Sequence, residues 1–311
     1  MKTKSADTPL DEAAYDLWRK AGEISASAIE LGRMLIKPGV PLVEVADQVE
    51  DFMRDNRAEP AFPTNLSRNH VAAHYSPAST DTDEVFEEGD VVKLDLGAHL
   101  DGYIADTAVT VEVGTTRHAA LIEASKAALD EAISVMGPNA NLQSVGGVIE
   151  TVITDRGFKP IANLTGHLIE RNELHAGVAV PNVPQRINHR PRIGQVFAIE
   201  PFATDGDGRV VSGPGGNIYH YQRERPQRMA DARALLKLVQ TKYPHMPFAE
   251  RWIARDHQGR TSLARNLLLK SVAIKSYPQL IEAGHGMVSQ HEHTVLITED
   301  GCDVLTRRSS D

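Results

Sequence analysis

The chain contains a copy of itself. Set against its own sequence one hundred positions on, Glu23, Ser25, Ala28, Ile29, Glu30, Pro38, Leu42, Val45, Val49, Glu50 and Pro60 face Glu123, Ser125, Ala128, Leu129, Asp130, Pro138, Leu142, Val145, Ile149, Glu150 and Pro160. Farther along the offset becomes 105, and GDVVKLD (Gly89 to Asp95) falls on GQVFAIE (Gly194 to Glu200). Each of these is a turn glycine, a strand and a carboxylate six residues later. A repeat of this length constrains the fold more than local propensity does, because two copies of one unit must bury related faces against each other.

Within each copy the apolar spacing is near 3.6, with Ala28, Ile29, Met34 and Leu35 in the first and Ala128, Leu129, Ile133 and Met136 in the second. That period predicts a helix, and a proline near each end stops it. Each half reads as helix, helix, then strands, an α/β (α+β) duplication with approximate two-fold symmetry. Such symmetry brings an acid from each half to a shared central crevice.

Composition narrows the class. With 311 residues, 41% hydrophobic content and 24% charge, the chain is an ordinary globular protein able to bury a large core. A net charge of -9 means that the chain as a whole is not built as a nucleic-acid binder, and no sequence-specific nucleic-acid partner is expected. The single cysteine, Cys302, excludes an internal disulfide framework and fits a reducing compartment. No apolar segment has the length of a signal peptide or a membrane span, so a cytoplasmic protein, without membrane partners and monomeric, is expected.

The stretch VVKLDLGAHLDGYIADTAVTV (Val91 to Val111) holds two alternating runs about Asp101-Gly102, a strong tight-turn signal. A hairpin with an even loop pairs positions whose numbers sum to an odd value, so Asp95 and Asp106 share a face. Diagonal neighbours there lie roughly 7–8 Å apart at Cα. An ionised carboxylate among apolar neighbours is expensive, so a cation between the two is expected. A solvent-facing residue on an edge strand explains one such Asp more easily than two on one face.

Glu200 in VFAIEPF and Glu292 in GMVSQHEHTVLI are further acids in buried-looking strands. Glu292 shares its face with Gln290 and Thr294 and points away from His291 and His293. His167 follows a Thr-Gly turn in NLTGHLIE. Four carboxylates and one imidazole form a hard, oxygen-rich set. It suits two divalent ions, Co, Mn, Fe, Zn or Ni, and not a structural zinc, which uses cysteines. Two such ions lower the pKa of a bound water and polarise a carbonyl, which is metal-assisted hydrolysis.

In order and context, KLDLG, ADTA, TGH, IEPF and QHEHT resemble the five-ligand signature of the methionine aminopeptidase, aminopeptidase P and prolidase superfamily, over most of residues 9 to 306. The resemblance implies a pita-bread fold, internally duplicated. Only 73 residues precede His74, too few for the extra domain of the prolidase-like and aminopeptidase P-like enzymes. The 91 residues between Glu200 and Glu292 include RPQRMADARALLKLVQTKYPHMPFAERWIARD, similar to the helical insert of type II methionine aminopeptidases. FPTNLSRNHVAAHYSP and GHLIERNELHAGVAVP resemble the same enzymes, and the missing charged extension favours the archaeal form. Residues 1–210 and 281–311 are then expected to form the catalytic domain, with 211–280 as the insertion subdomain.

By that resemblance Asp95 and Asp106 bind one metal, Asp106 and Glu292 bridge to a second, and His167 and Glu200 complete it. A bridging hydroxide attacks the first peptide bond with Glu200 as general base. His74 and His175 face the substrate and donate hydrogen bonds to the scissile amide and the oxyanion. Phe62, His74, Leu174, His175 and His220 line the methionine pocket, and Asn65 stands where some members carry glycine. The activity implied is removal of the N-terminal methionine from nascent polypeptides. The alternatives are an Xaa-Pro dipeptidase or aminopeptidase and a non-catalytic pita-bread binding module.

SGPGG lacks the lysine and the Ser or Thr of a phosphate loop and reads as a turn. From Tyr221 to Leu280 there are twelve Lys or Arg against Glu224, Asp231, Glu250 and Asp256. A basic face of that kind would favour transient contact with the ribosome by counterion release, and the plain alternative is a solvated helix surface.

Overall fold

The computed structural model describes residues 12–308, so 1–11, part of the segment read for a leader, and 309–311 lie outside the described residues. The first half runs α1 (Glu12–Leu35), α2 (Leu42–Asp55), β1 (Glu59–Pro60), β2 (Asn65–Arg68), β3 (Val71–Ala73), β4 (Val91–Leu100) and β5 (Tyr103–Glu112). The second runs α3 (Ala119–Ser134), α4 (Leu142–Asp155), β6 (Lys159–Pro160), β7 (Thr165–Ile169), β8 (Ala179–Pro181), β9 (Val196–Ile199) and β10 (Phe202–Thr204). There follow β11 (Val210–Tyr221), α5 (Ala230–Lys242), β12 (Phe248–Ala249), α6 (Glu250–Asp256), α7 (Thr261–Lys270) and β13 (Ile274–Glu282). The described chain closes with β14 (Val288–Gln290), β15 (His293–Ile297) and β16 (Cys302–Val304).

The duplication is visible in the elements themselves. α2 and α4, like β1 and β6, begin and end one hundred residues apart, while β4 and β9 start at Val91 and Val196, the 105 offset. Gly89 and Gly194, the matched turn glycines, both have positive φ. Each half has its own apolar core. One gathers Ala28, Ile29, Val45, Val49 and Leu94, and the other gathers Ala128, Leu129, Val145, Ile149 and Phe197.

The helical period placed most of its residues correctly but not Met34, which is 62% exposed. Met34 follows Ile29 by five residues, or about 140° around the helix, and so lies off the buried row. The buried face of α1 is instead Ala21, Ser25, Ala28, Ile29 and Gly32. Met136, read as helical, falls just past α3 but is still buried in the second core.

The sheets are antiparallel. β4 pairs with β5, β2 and β1; β9 pairs with β15 and β7. The halves join where Ala108 of β5 bridges Glu292, with Thr107 donating to the Glu292 carbonyl at 2.9 Å. Asp106 N–H and carbonyl both bond Thr294 Oγ1 at 2.8 Å. β11 and β13 pair with each other, and β13 also pairs with β3, so the segment after Glu200 leaves and returns through one shared sheet. The helices between them close a separate apolar cluster around Leu235, Phe248, Trp252 and Leu268. No helix among the described residues is long and apolar enough to cross a membrane.

Candidate metallopeptidase site

The hairpin sets the first two acids. Asp101 and Gly102 both take positive φ, as a tight primed turn requires. The register then pairs Asp95 with Ala108 and Gly97 with Asp106, which makes the two aspartates diagonal neighbours on one face. Opposite Asp106 a side chain has no room, because a Cβ on Gly97 would lie 2.7 Å from the Phe62 ring and 2.8 Å from the Ala105 carbonyl. The other half supplies His167 from β7, Glu200 immediately after β9, and Glu292 immediately before β15.

All five converge. Asp95, Asp106, His167, Glu200 and Glu292 line one cavity of about 230 Å³ together with Phe62, Asn65, His74, Leu174 and His175. His167 Nε2 stands 3.6 Å from Asp106 Oδ2 and 3.5 Å from Glu200 Oε1. Oxygen and nitrogen atoms of Asp106, His167 and Glu292 all fall within 4.8 Å of one another. His220 is the exception. It lines an adjoining cavity, which shares Leu174, His175 and Tyr277, and its Nε2 bonds the His245 carbonyl at 3.1 Å.

The electrostatics ask for positive charge. Burial raises Asp95 to about 7. Asp106, Glu200 and Glu292 are pushed well above the carboxylate range, first by burial and then by the neighbouring acids. Burial also holds His167 down to about 3, so the ring is neutral and free to ligate. Among the described residues Asp95 Oδ1, Asp106 Oδ1, Glu292 Oε1 and His167 Nδ1 are buried without a hydrogen-bond partner. Donors that share a cation at roughly 2.0–2.2 Å stand about 3–3.5 Å apart, close to the separations found here. Divalent ions therefore fit this donor set, and Asp95, Asp106, His167, Glu200 and Glu292 are the residues that would hold them.

Two histidines flank the acids. His74, at φ +66, has its N–H held by Asn65 Oδ1 at 2.8 Å. Its Nδ1 lies 3.3 Å from the Pro278 carbonyl, which only accepts, so Nδ1 carries the proton. Burial lowers His74 to about 4, and the neutral ring therefore presents Nε2 as an acceptor, not the donor expected from the sequence. The His175 ring lies 4.4 Å from that of His167, and burial lowers its pKa too.

The structure adds residues that sequence reasoning passed over. Gln290, placed on the Glu292 face but given no role, directs Nε2 to Glu292 at 3.2 Å and Glu200 at 3.5 Å. Lys93, two residues before Asp95, is wholly buried with Nζ donating to the Asn69 and Val91 carbonyls. Its position in the quoted strand was the available signal. His291 and His293 turn away from the cavity to Ser125 and Thr306, as the strand alternation requires.

Fold and site together define a duplicated α/β protein built around a carboxylate-rich centre for divalent metal. The chain belongs to metallopeptidase family M24, whose sequence model matches residues 16–299, and the pita-bread architecture follows. It is 47% identical over 298 residues to a methionine aminopeptidase of Methanocaldococcus jannaschii, covering 96% of this chain and 100% of that protein. The crystal structure of a methionine aminopeptidase from Thermotoga maritima superposes with a TM-score of 0.70 at 25% identity, over 97% of this chain and 99% of that one. A thermophilic Arx1 gives 0.82 at 17% identity over 95% and 91%, a likeness of fold alone.

Proposed function

We propose that this protein is an aminopeptidase that removes the initiator methionine from nascent chains in the cytoplasm, acting as a monomer with two divalent ions. One observation carries the reading: four acids and a histidine from both halves meet in one cavity beside an apolar wall of Phe62 and Leu174. Bound there, the ions would supply Lewis acidity and a water of lowered pKa. Glu200, with its raised pKa, is suited to take and hold a proton. His74 Nε2, an acceptor, receives an N–H of the substrate, and His175 donates to the developing oxyanion. Phe62 and Leu174 take the methionine side chain, with His220 reaching it only from the adjoining cavity.

In the same reading residues 1–210 and 281–311 are the catalytic domain and 211–280 the insertion subdomain. The basic insert is a candidate for transient ribosome contact, although Arg251, one of its cations, is buried and contributes nothing to a surface. Digestion of Met-Ala-Ser and of an Ala-Pro peptide tests the activity. Methionine release from the first with no action on the second is expected, and the reverse assigns an Xaa-Pro peptidase. Chelation should abolish turnover, whereas a binding module would have none to lose.

A further inference from the structure

One buried ion pair lies outside the cavity and takes no part in the chemistry above. Glu50 of α2 is 0% exposed, and Arg251 of α6 is 5% exposed. They meet at 2.6 Å. The same Glu50 oxygen accepts the Thr64 N–H at 3.0 Å, and the other accepts Trp252 Nε1 at 2.6 Å. Arg251 directs three further donors to Asp47 at 3.0 Å, Ser76 Oγ at 2.9 Å and the Pro77 carbonyl at 2.9 Å. Desolvation offsets most of the attraction in a buried pair, so fixing position is the better account of its retention.

The bonds converge on two places, Thr64 and Ser76-Pro77. These are the two ends of the stretch that carries Asn65 and His74 into the cavity. His74 sits at φ +66, a backbone state that its surroundings must impose on a residue with a Cβ. Those surroundings are Asn65, which holds its N–H, and Gly216 of β11, whose carbonyl accepts from the Ser76 N–H at 3.0 Å. The carboxylate ties one end of the stretch, the guanidinium ties the other, and the two charges tie each other.

We propose that Glu50 and Arg251 are positioning residues for His74, so that α6 of the insert sets the pose of a ring in the peptidase cavity. This rests on the function proposed above. Neither residue touches the cavity. Their effect on turnover must pass through the 64–77 stretch, and above all through His74.

A double-mutant cycle on the full chain loaded with Mn2+, assayed on Met-Ala-Ser, tests this. Glu50→Gln should lower kcat about tenfold with little change in KM, since a small misplacement of a reacting group is costly. Made in a His74→Asn background, the same change should cost less than about twofold. Calorimetric Mn2+ affinity should be unchanged. In protein labelled with 15N-histidine the His74 ring signals should move in Glu50→Gln while those of His189 stay. Equal losses in both backgrounds, or a fall in Mn2+ affinity that accounts for the loss, overturn the proposal. If Glu50→Gln does not fold, Ser76→Ala removes a single Arg251 bond and enters the same cycle, with about a threefold loss expected only when His74 is present. Wild-type protein that releases no methionine sinks the peptidase reading itself, an outcome separate from any of these.

Discussion

Without metal, this protein should become less stable as pH rises above neutrality. The cause is the carboxylate cluster. Asp95 is raised to about 7, and Asp106, Glu200 and Glu292 are raised well above the ordinary carboxylate range, first by burial and then by one another, so the folded metal-free chain holds protons that the unfolded chain has released. A raised folded pKa contributes stability below the unfolded value, and that stability is lost as pH climbs through the folded value. Each carboxyl still protonated in the folded state gives a slope of about -1.4 kcal/mol per pH unit. Unfolding entropy of about 2.1 cal/mol/K per residue, over 311 residues, converts this to a fall of about 2 °C in Tm per pH unit per group. The figure is an upper bound for Asp95, which at about 7 has already lost part of its proton at the start of this range above neutrality. Scanning calorimetry between about pH 7.5 and 8.5, above the ~6.5 at which His74 and His167 release their protons in the unfolded chain, isolates the effect. The chelated protein should show the slope, Mn2+-loaded protein should not, and Asp95→Asn should reduce it. A chelated Tm that is flat or rises with pH, or the same slope with metal bound, would refute the account of what burial does here.

Three further outcomes follow from the geometry. His175→Ala should lower kcat by about 10²–10³ with Mn2+ affinity retained, as loss of one oxyanion donor does; a loss confined to KM would assign His175 to binding alone. Gly97→Ala forces Phe62 or the Ala105 carbonyl aside, so stability should drop by about 1–3 kcal/mol and KM for Met-Ala-Ser should rise, both read from one preparation. Glu282 accepts backbone N–H bonds from Asp207, Gly208, Gly284 and Gly286, which hold its pKa down, and Glu282→Gln should cost about 2–4 kcal/mol in urea unfolding at pH 7. That contribution is present above the ordinary carboxylate pKa and lost as pH falls through the folded one, so the variant should lose less stability on acidification.

What could be read from the sequence was what repeats or alternates. The matched bounds of α2 and α4 follow from an apolar pattern that both copies retain, and the diagonal placing of Asp95 and Asp106 follows from the arithmetic of a two-residue turn. What could not be read depends on partners far apart in the chain. Glu50 matches Glu150 in the repeat, yet only the first is buried, because an arginine 201 positions later reaches it. That arginine looked like one more cation on a basic surface. The proton on His74 is placed by a carbonyl 204 residues away, so nothing near His74 announces an acceptor. His220 lies in β11 beyond a glycine-rich stretch at which the register with β13 shifts twice, which is where counting along an alternation fails.

The repeat also explains why the site is not symmetric. In the first half Ser67 of β2 pairs with Lys93 of β4, and in the second half the equivalent positions are His167 of β7 and Ala198 of β9. At this one paired position each half thus has a single basic group, on opposite members of the pair. Lys93 is sealed behind Asp95 with its Nζ on backbone carbonyls, and burial lowers its pKa far below the usual amine range. His167 instead opens into the cavity, where burial keeps it neutral. A perfect repeat with serine at both positions would offer only oxygen donors. Histidine at one position and serine at the other make the two ends of the acidic cluster chemically unlike, so that one end would offer a divalent ion a nitrogen donor and the other only carboxylates.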